Sequence, residues 1–98
     1  MSRARVVLSP QAVEDLDGIW LFLADESPEL ADRIDGEIRA AIWRIADFPG
    51  LGHTRPDLTD LPVRFWAVYS YLIVYSSRDG VMEIVRVIHG SRDVSGML

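Results

Sequence analysis

The sequence of 98 residues contains no cysteine, which excludes disulfides and thiolate zinc sites and fits a reducing compartment. Lysine is also missing: all ten basic residues are Arg, set against fifteen Asp and Glu for a net charge of −5. Proteins that hold nucleic acid by its phosphates carry a basic excess, so strong direct nucleic-acid binding by the chain alone is disfavoured. No apolar run approaches the ~20 residues of a membrane-spanning helix, and the opening MSRARVVLSP has no signal-peptide core. A cytoplasmic protein with no membrane association is expected. His53 and His89 are far apart and have no cluster of carboxylates around them, so neither a metal nor another cofactor is expected.

A chain of this length makes one domain, residues 1–98, and buries roughly 60–65% of its unfolded surface, enough for a core without staples. Its charge is uneven. Residues 1–49 hold five Arg against ten acids, whereas residues 50–98 hold five of each. The acidic half is the helical half. After a short apolar stretch, Arg5–Leu8, Ser9-Pro10 supplies a cap and a first-turn proline. Val13, Leu16, Ile19, Trp20 and Leu23 then recur at helical spacing as far as about Asp25. Ser27-Pro28-Glu29 repeats the start signal. Leu30, Ile34, Ile38, Ala41, Ile42 and Ile45 form the next stripe, which stops at Pro49-Gly50. The link is so short that the helices form an antiparallel hairpin.

Gly50–Pro62 reads as a loop. Val63–Val68 and Tyr71–Ser77 alternate as strands, joined by a tight turn at Tyr69-Ser70, and Asp79-Gly80 signals a hairpin into Val81–His89. The predicted class is α+β, in the order β-α-α-β-β-β, with the helical hairpin on one face of a small antiparallel sheet. The position of Arg5–Leu8 in that sheet is open. Val81–His89 is apolar enough to be a central strand buried on both faces. Its Arg86 and His89, and Arg92 beyond Gly90, therefore require partners or a role. Arg86 falls on a face with Met82, Ile84 and Ile88, and His89 on the other with Val85 and Val87. Three residues apart on a strand, they leave by opposite faces. Asp57 and Asp60 are candidate carboxylates for Arg86.

In order along the chain, LSPQAVEDLDGIW, DFPGLGHTRPDL, VRFWAVYSYLIVY and IVRVIHGSRDV resemble the RelE/ParE family of bacterial toxins from type II toxin–antitoxin systems. The ending with His89, Gly90, Arg92 and Asp93 matches the ParE side. The resemblance implies the RelE/ParE toxin fold, a cytoplasmic toxin neutralised by a cognate ParD-like antitoxin in a hetero-oligomeric complex, and inhibition of growth through DNA gyrase without a catalytic site. The alternative it implies is a ribosome-dependent mRNA endoribonuclease of RelE type, with Arg64 and Arg86 as phosphate cations and His89 as acid or base. A member that only binds antitoxin is a third possibility. The absence of lysine and of a tyrosine after Tyr75 departs from the ribonuclease pattern.

Off-stripe apolar residues on a polar helix face point to a partner. Leu21, Phe22 and Trp43 are such residues, and together with Arg64, Arg86 and Arg92 they are the expected partner-binding set. The resemblance implies an antitoxin whose tail wraps the toxin, and because the hairpin is acidic, Arg or Lys is expected on that tail.

Overall fold

A computed structural model describes residues 5–91 and 94–98. Its elements are β1 (Arg5–Leu8), α1 (Pro10–Ala24), α2 (Pro28–Asp47), β2 (Arg64–Val68), β3 (Tyr71–Arg78), β4 (Val81–His89) and a short α3 (Val94–Met97). Both helix starts follow from the Ser-Pro pairs. Ser9 Oγ accepts the Ala12 amide at 3.0 Å and Ser27 Oγ accepts the Leu30 amide at 3.2 Å, satisfying amides that have no partner within the helix. The hairpin is pinned by the Trp20 indole, which donates to Asp32 at 2.9 Å. On α2 the buried stripe is Ala31, Ile34, Ile38, Ile42, Ile45 and Ala46. On α1 it is Ala12 and Leu16, with Ile19 and Leu23 packed beside them. Val13 is exposed instead of buried, because the stripe runs through the position before it.

The strand order is β1-β4-β3-β2. β2, β3 and β4 form the expected antiparallel meander, and Asp79 and Gly80 both take the positive φ that the β3–β4 turn requires. β1 pairs parallel to β4 from Arg5/Val81 to Leu8/Ile84. The sheet is therefore mixed, not wholly antiparallel, and β4 is an interior strand only as far as Ile84.

The helices cover one face, against Ile73, Tyr75, Met82, Ile84 and Val87. The other face carries a smaller core of Val63, Phe65, Val74 and Ile88, closed by Leu58 of the loop and by Val94, Met97 and Leu98 at the C-terminal end. β4 is thus buried on both faces only over its second half, since Val81 and Glu83 are exposed. A bulge explains the rest. Val74 pairs with Arg86 but Tyr75 pairs with Ile84, which leaves Val85 as the extra residue. The side-chain alternation shifts there: Met82, Ile84 and Val87 face the helices, while Val85 joins Ile88 on the opposite core. The grouping of Arg86 with Met82 and Ile84, expected from strict alternation, is broken by that one residue.

The loop after α2 is held to the sheet by Tyr75. Its hydroxyl donates to the Pro49 carbonyl at 2.7 Å and accepts the Gly52 amide at 2.8 Å. A Cβ on Gly52 would stand within van der Waals radii of that hydroxyl, so only glycine fits. Burial raises the Tyr75 phenol above its ordinary value. A raised value means that the contribution to stability is complete below the ordinary tyrosine range near pH ~10 and is lost as pH rises through the folded value. Tyr75→Phe is expected to cost about 1–3 kcal/mol in urea unfolding, as two buried backbone groups lose their partner. It should also weaken the stability loss seen in the wild-type protein on alkaline titration.

Candidate functional site

Among the described residues no strand lies beside the outer edge of β4 past Ile84, because β1 turns into α1 at Leu8. The start of α1 fills part of that edge with its own polar groups. The Ser9 amide donates to the Ile84 carbonyl at 3.0 Å and the Ser9 hydroxyl to the Val85 carbonyl at 2.7 Å. Two successive carbonyls point the same way because of the bulge. Six residues further on, Asp15 Oδ2 accepts the Val87 amide at 2.9 Å. The same carboxylate receives Arg86 by two bonds, from Nε at 2.8 Å and Nη2 at 2.9 Å. The remaining Arg86 nitrogen, Nη1, donates to the Met97 carbonyl at 2.9 Å.

This pair is largely withdrawn from water, with side-chain exposures of 19% for Arg86 and 14% for Asp15. The hydrogen-bonded Asp15 carboxylate raises the Arg86 pKa above its ordinary value. Arg86 therefore stays a cation with its planar fork occupied. The carboxylate expected at Asp57 or Asp60 is Asp15 instead, and Asp57 is taken by Arg55 at 2.8 Å.

A cleft of about 630 Å³ opens alongside this edge, lined by residues that include Glu14, Gly18, Phe22, Arg86, His89 and Met97. Arg86 and His89 both reach it, although they leave β4 by opposite faces, because the cleft lies along the strand edge. The His89 ring stands edge-on to Tyr71, with centroids 5.5 Å apart. Its Nδ1 accepts the Ser91 amide at 3.1 Å and lies 2.6 Å from Ser91 Oγ. The amide donor makes Nδ1 the acceptor nitrogen of the ring.

Arg64 belongs to a different place. Its Nη1 donates to the Gly52 carbonyl at 2.8 Å, and β3 separates its strand from β4, two strand spacings or about 10 Å. Arg64 and Arg86 do not share a groove. The apolar candidates also divide. Leu21 and Phe22 are 66% and 75% exposed near the hairpin turn. Trp43, 48% exposed, lies along α2 beyond the Trp20–Asp32 contact by about 16 Å at the helical rise. Of these three, Phe22 lines the cleft. Arg92 lies outside the described residues.

Asp15 was not among the residues singled out in the sequence. The signal was present: it stands three after Ala12 and four before Ile19, inside the apolar stripe, where a carboxylate needs a partner. Removing one member of a largely buried pair strands the other. Asp15→Ala and Arg86→Met are each expected to destabilise by about 3 kcal/mol. The double variant should be less destabilised than the two single losses added together, as read from denaturant unfolding of all four proteins.

Comparison with known proteins agrees with this architecture. The model of the ParE toxin of the type II toxin–antitoxin system parDE matches residues 6–94. Toxin RelE2 of Caulobacter vibrioides is 32% identical over 90 residues, covering 91% of this chain and 98% of the relative. A solved structure of the chromosomal ParDE toxin–antitoxin system from P. aeruginosa superposes with a TM-score of 0.72 at 19% identity, covering 89% of this chain and 96% of the other. With its two-helix cover, its sheet and nearly its whole length matched, the chain belongs to the ParE toxin family of type II toxin–antitoxin systems.

Proposed function

We propose that this toxin acts by binding and poisoning a protein target in the cytoplasm, DNA gyrase, and that a ParD-like antitoxin encoded beside it neutralises it in a hetero-oligomeric complex. The observation that carries this reading is the state of the cations. Phosphoryl transfer on RNA needs positive charge free to meet developing negative charge, together with a positioned acid and base. The Arg86 fork is occupied by Asp15 and Met97. Arg64 holds a loop carbonyl on the far side of β3. The acidic balance of the chain adds a general repulsion towards a polyanion. Exposed Leu21, Phe22 and Trp43 suit protein contacts, and a basic antitoxin tail with apolar anchors complements the acidic hairpin.

One observation favours the ribonuclease alternative: Arg86 and His89 line one cleft. The two readings separate in vitro. Saturating toxin is expected to block supercoiling by gyrase and to leave ribosome-bound mRNA intact, whereas full supercoiling contradicts the gyrase assignment. Arg64→Gln and Arg86→Gln variants that remain folded are expected to keep their effect on growth. Loss of mRNA cleavage in either variant, with wild-type toxin cleaving, would establish the ribonuclease instead. Absence of growth arrest on expression without antitoxin would mark a member that only binds antitoxin.

A further inference from the structure

The two outer strands of the sheet end differently. Along β2 the loop after α2 covers the edge: the His53 amide donates to the Phe65 carbonyl at 2.9 Å and the Phe65 amide to the His53 carbonyl at 2.8 Å. Along β1, at the other end of the order β1-β4-β3-β2, no strand among the described residues pairs with the outer side. The Arg5 amide donates to the Gly80 carbonyl at 2.9 Å and the Ser9 amide to the Ile84 carbonyl at 3.0 Å, so the odd-numbered residues address β4. By the alternation of a strand, Val6 and Leu8 turn their amides and carbonyls outward. Free edges are ordinarily blunted by lysine, proline, a bulge or a covering segment. The strand RVVL has neither lysine nor proline, and its register with β4 is unbroken. The side chains on this edge complement one another. Val6 and Leu8 pack towards the helices, which puts Arg5 and Val7 on the opposite face, in register with Val81 and Glu83. All four are exposed, the two valines at 38% each. Among the described residues no ion pair engages Arg5 or Glu83.

We infer that two copies of this chain join edge to edge through β1, antiparallel, about a two-fold axis at Val6. At the axis the two Val6 residues exchange a pair of backbone hydrogen bonds. Arg5 of each copy then stands opposite Val7 of the partner subunit, in the closer, non-hydrogen-bonded kind of pair, and its aliphatic stem covers that valine. Beyond the valine lies Glu83 of the partner subunit, two strand spacings or about 10 Å from the Arg5 backbone. Extended arginine and glutamate side chains together span that gap. The symmetry repeats the contact, so opposite charges meet twice and fix the register. A slip of two residues would set Arg5 opposite Ser9 and take it away from Glu83. The axis stands perpendicular to the sheet, so two four-stranded sheets become one continuous sheet with both helical hairpins on the same side.

The test is sedimentation of the full-length toxin, alone, over a concentration series, which is expected to show a monomer–dimer equilibrium. Val6→Pro removes an outward amide that the β1–β4 ladder does not use, and edge strands tolerate proline. It is expected to keep the fold, as read by circular dichroism, and to weaken the dimer by at least about tenfold. Arg5→Glu and Glu83→Arg each set like charges against one another at both contacts, and each is expected to weaken the dimer by about tenfold. The double variant Arg5→Glu/Glu83→Arg restores the opposition and is expected to return to within about threefold of wild type. A loss caused by misfolding would not be repaired in this way. A toxin that stays monomeric up to about millimolar concentration overturns the inference. So does a dimer that folded Val6→Pro leaves intact, or a double variant that associates no more tightly than the single ones.

Discussion

The Asp15 carboxylate ties the first helix to the last strand. It accepts three hydrogen bonds, two from Arg86 and one from the Val87 backbone. The strand needs that help. β1 is only four residues long, and β4 runs past its end, exposing amides and carbonyls that no other strand among the described residues covers. Ser9 and Asp15 take the first of these, and Arg86 carries the tie on to the C-terminal segment through Met97. A parallel edge strand, a helix and the C-terminal turn are thereby fixed to one another at a single point. The bulge at Val85 makes this possible, because it turns two consecutive carbonyls towards Ser9.

The same arrangement governs what the surface offers. With Nε, Nη1 and Nη2 each donating within the molecule, the Arg86 guanidinium acts as a brace. Arg64 serves a similar purpose at the other end of the sheet, where it and Tyr75 hold the loop after α2 through Gly52 and Pro49. Exposed beside these braces are Leu21 and Phe22 near the hairpin turn and Trp43 further along α2, in the half of the chain with twice as many acids as arginines. Such a surface suits protein partners with basic, apolar-anchored segments.

Much of this was legible in the sequence. Ser-Pro twice, two apolar stripes and the Asp-Gly turn specify the helical hairpin and the meander through local rules that need no tertiary information. Leu21 and Phe22 were readable as surface residues from their angular position alone. Three things were not readable. The parallel placement of β1 depends on contacts some 76 residues away in sequence (Arg5 with Val81). The Val85 bulge has no signature in a run of Val, Ile and Met, yet it reassigns the faces of the residues on either side. The loop acids Asp57 and Asp60 are closer to Arg86 in sequence, whereas its partner Asp15 is 71 residues distant. Its place within the α1 apolar stripe was the clue, and the clue became interpretable only once Arg86 stood opposite it.

The central claim is that the Arg86–Asp15 charge pair is structural and that toxicity comes from contacts elsewhere. Growth arrest by the Asp15→Asn/Arg86→Met double variant, expressed without antitoxin, tests this directly. Asparagine can still accept the Val87 amide and methionine keeps the volume, so the fold is expected to survive, as checked by circular dichroism. The predicted result is growth arrest at the wild-type level. A variant that is folded, expressed at the same level and no longer toxic would contradict the claim and return Arg86 to the functional site.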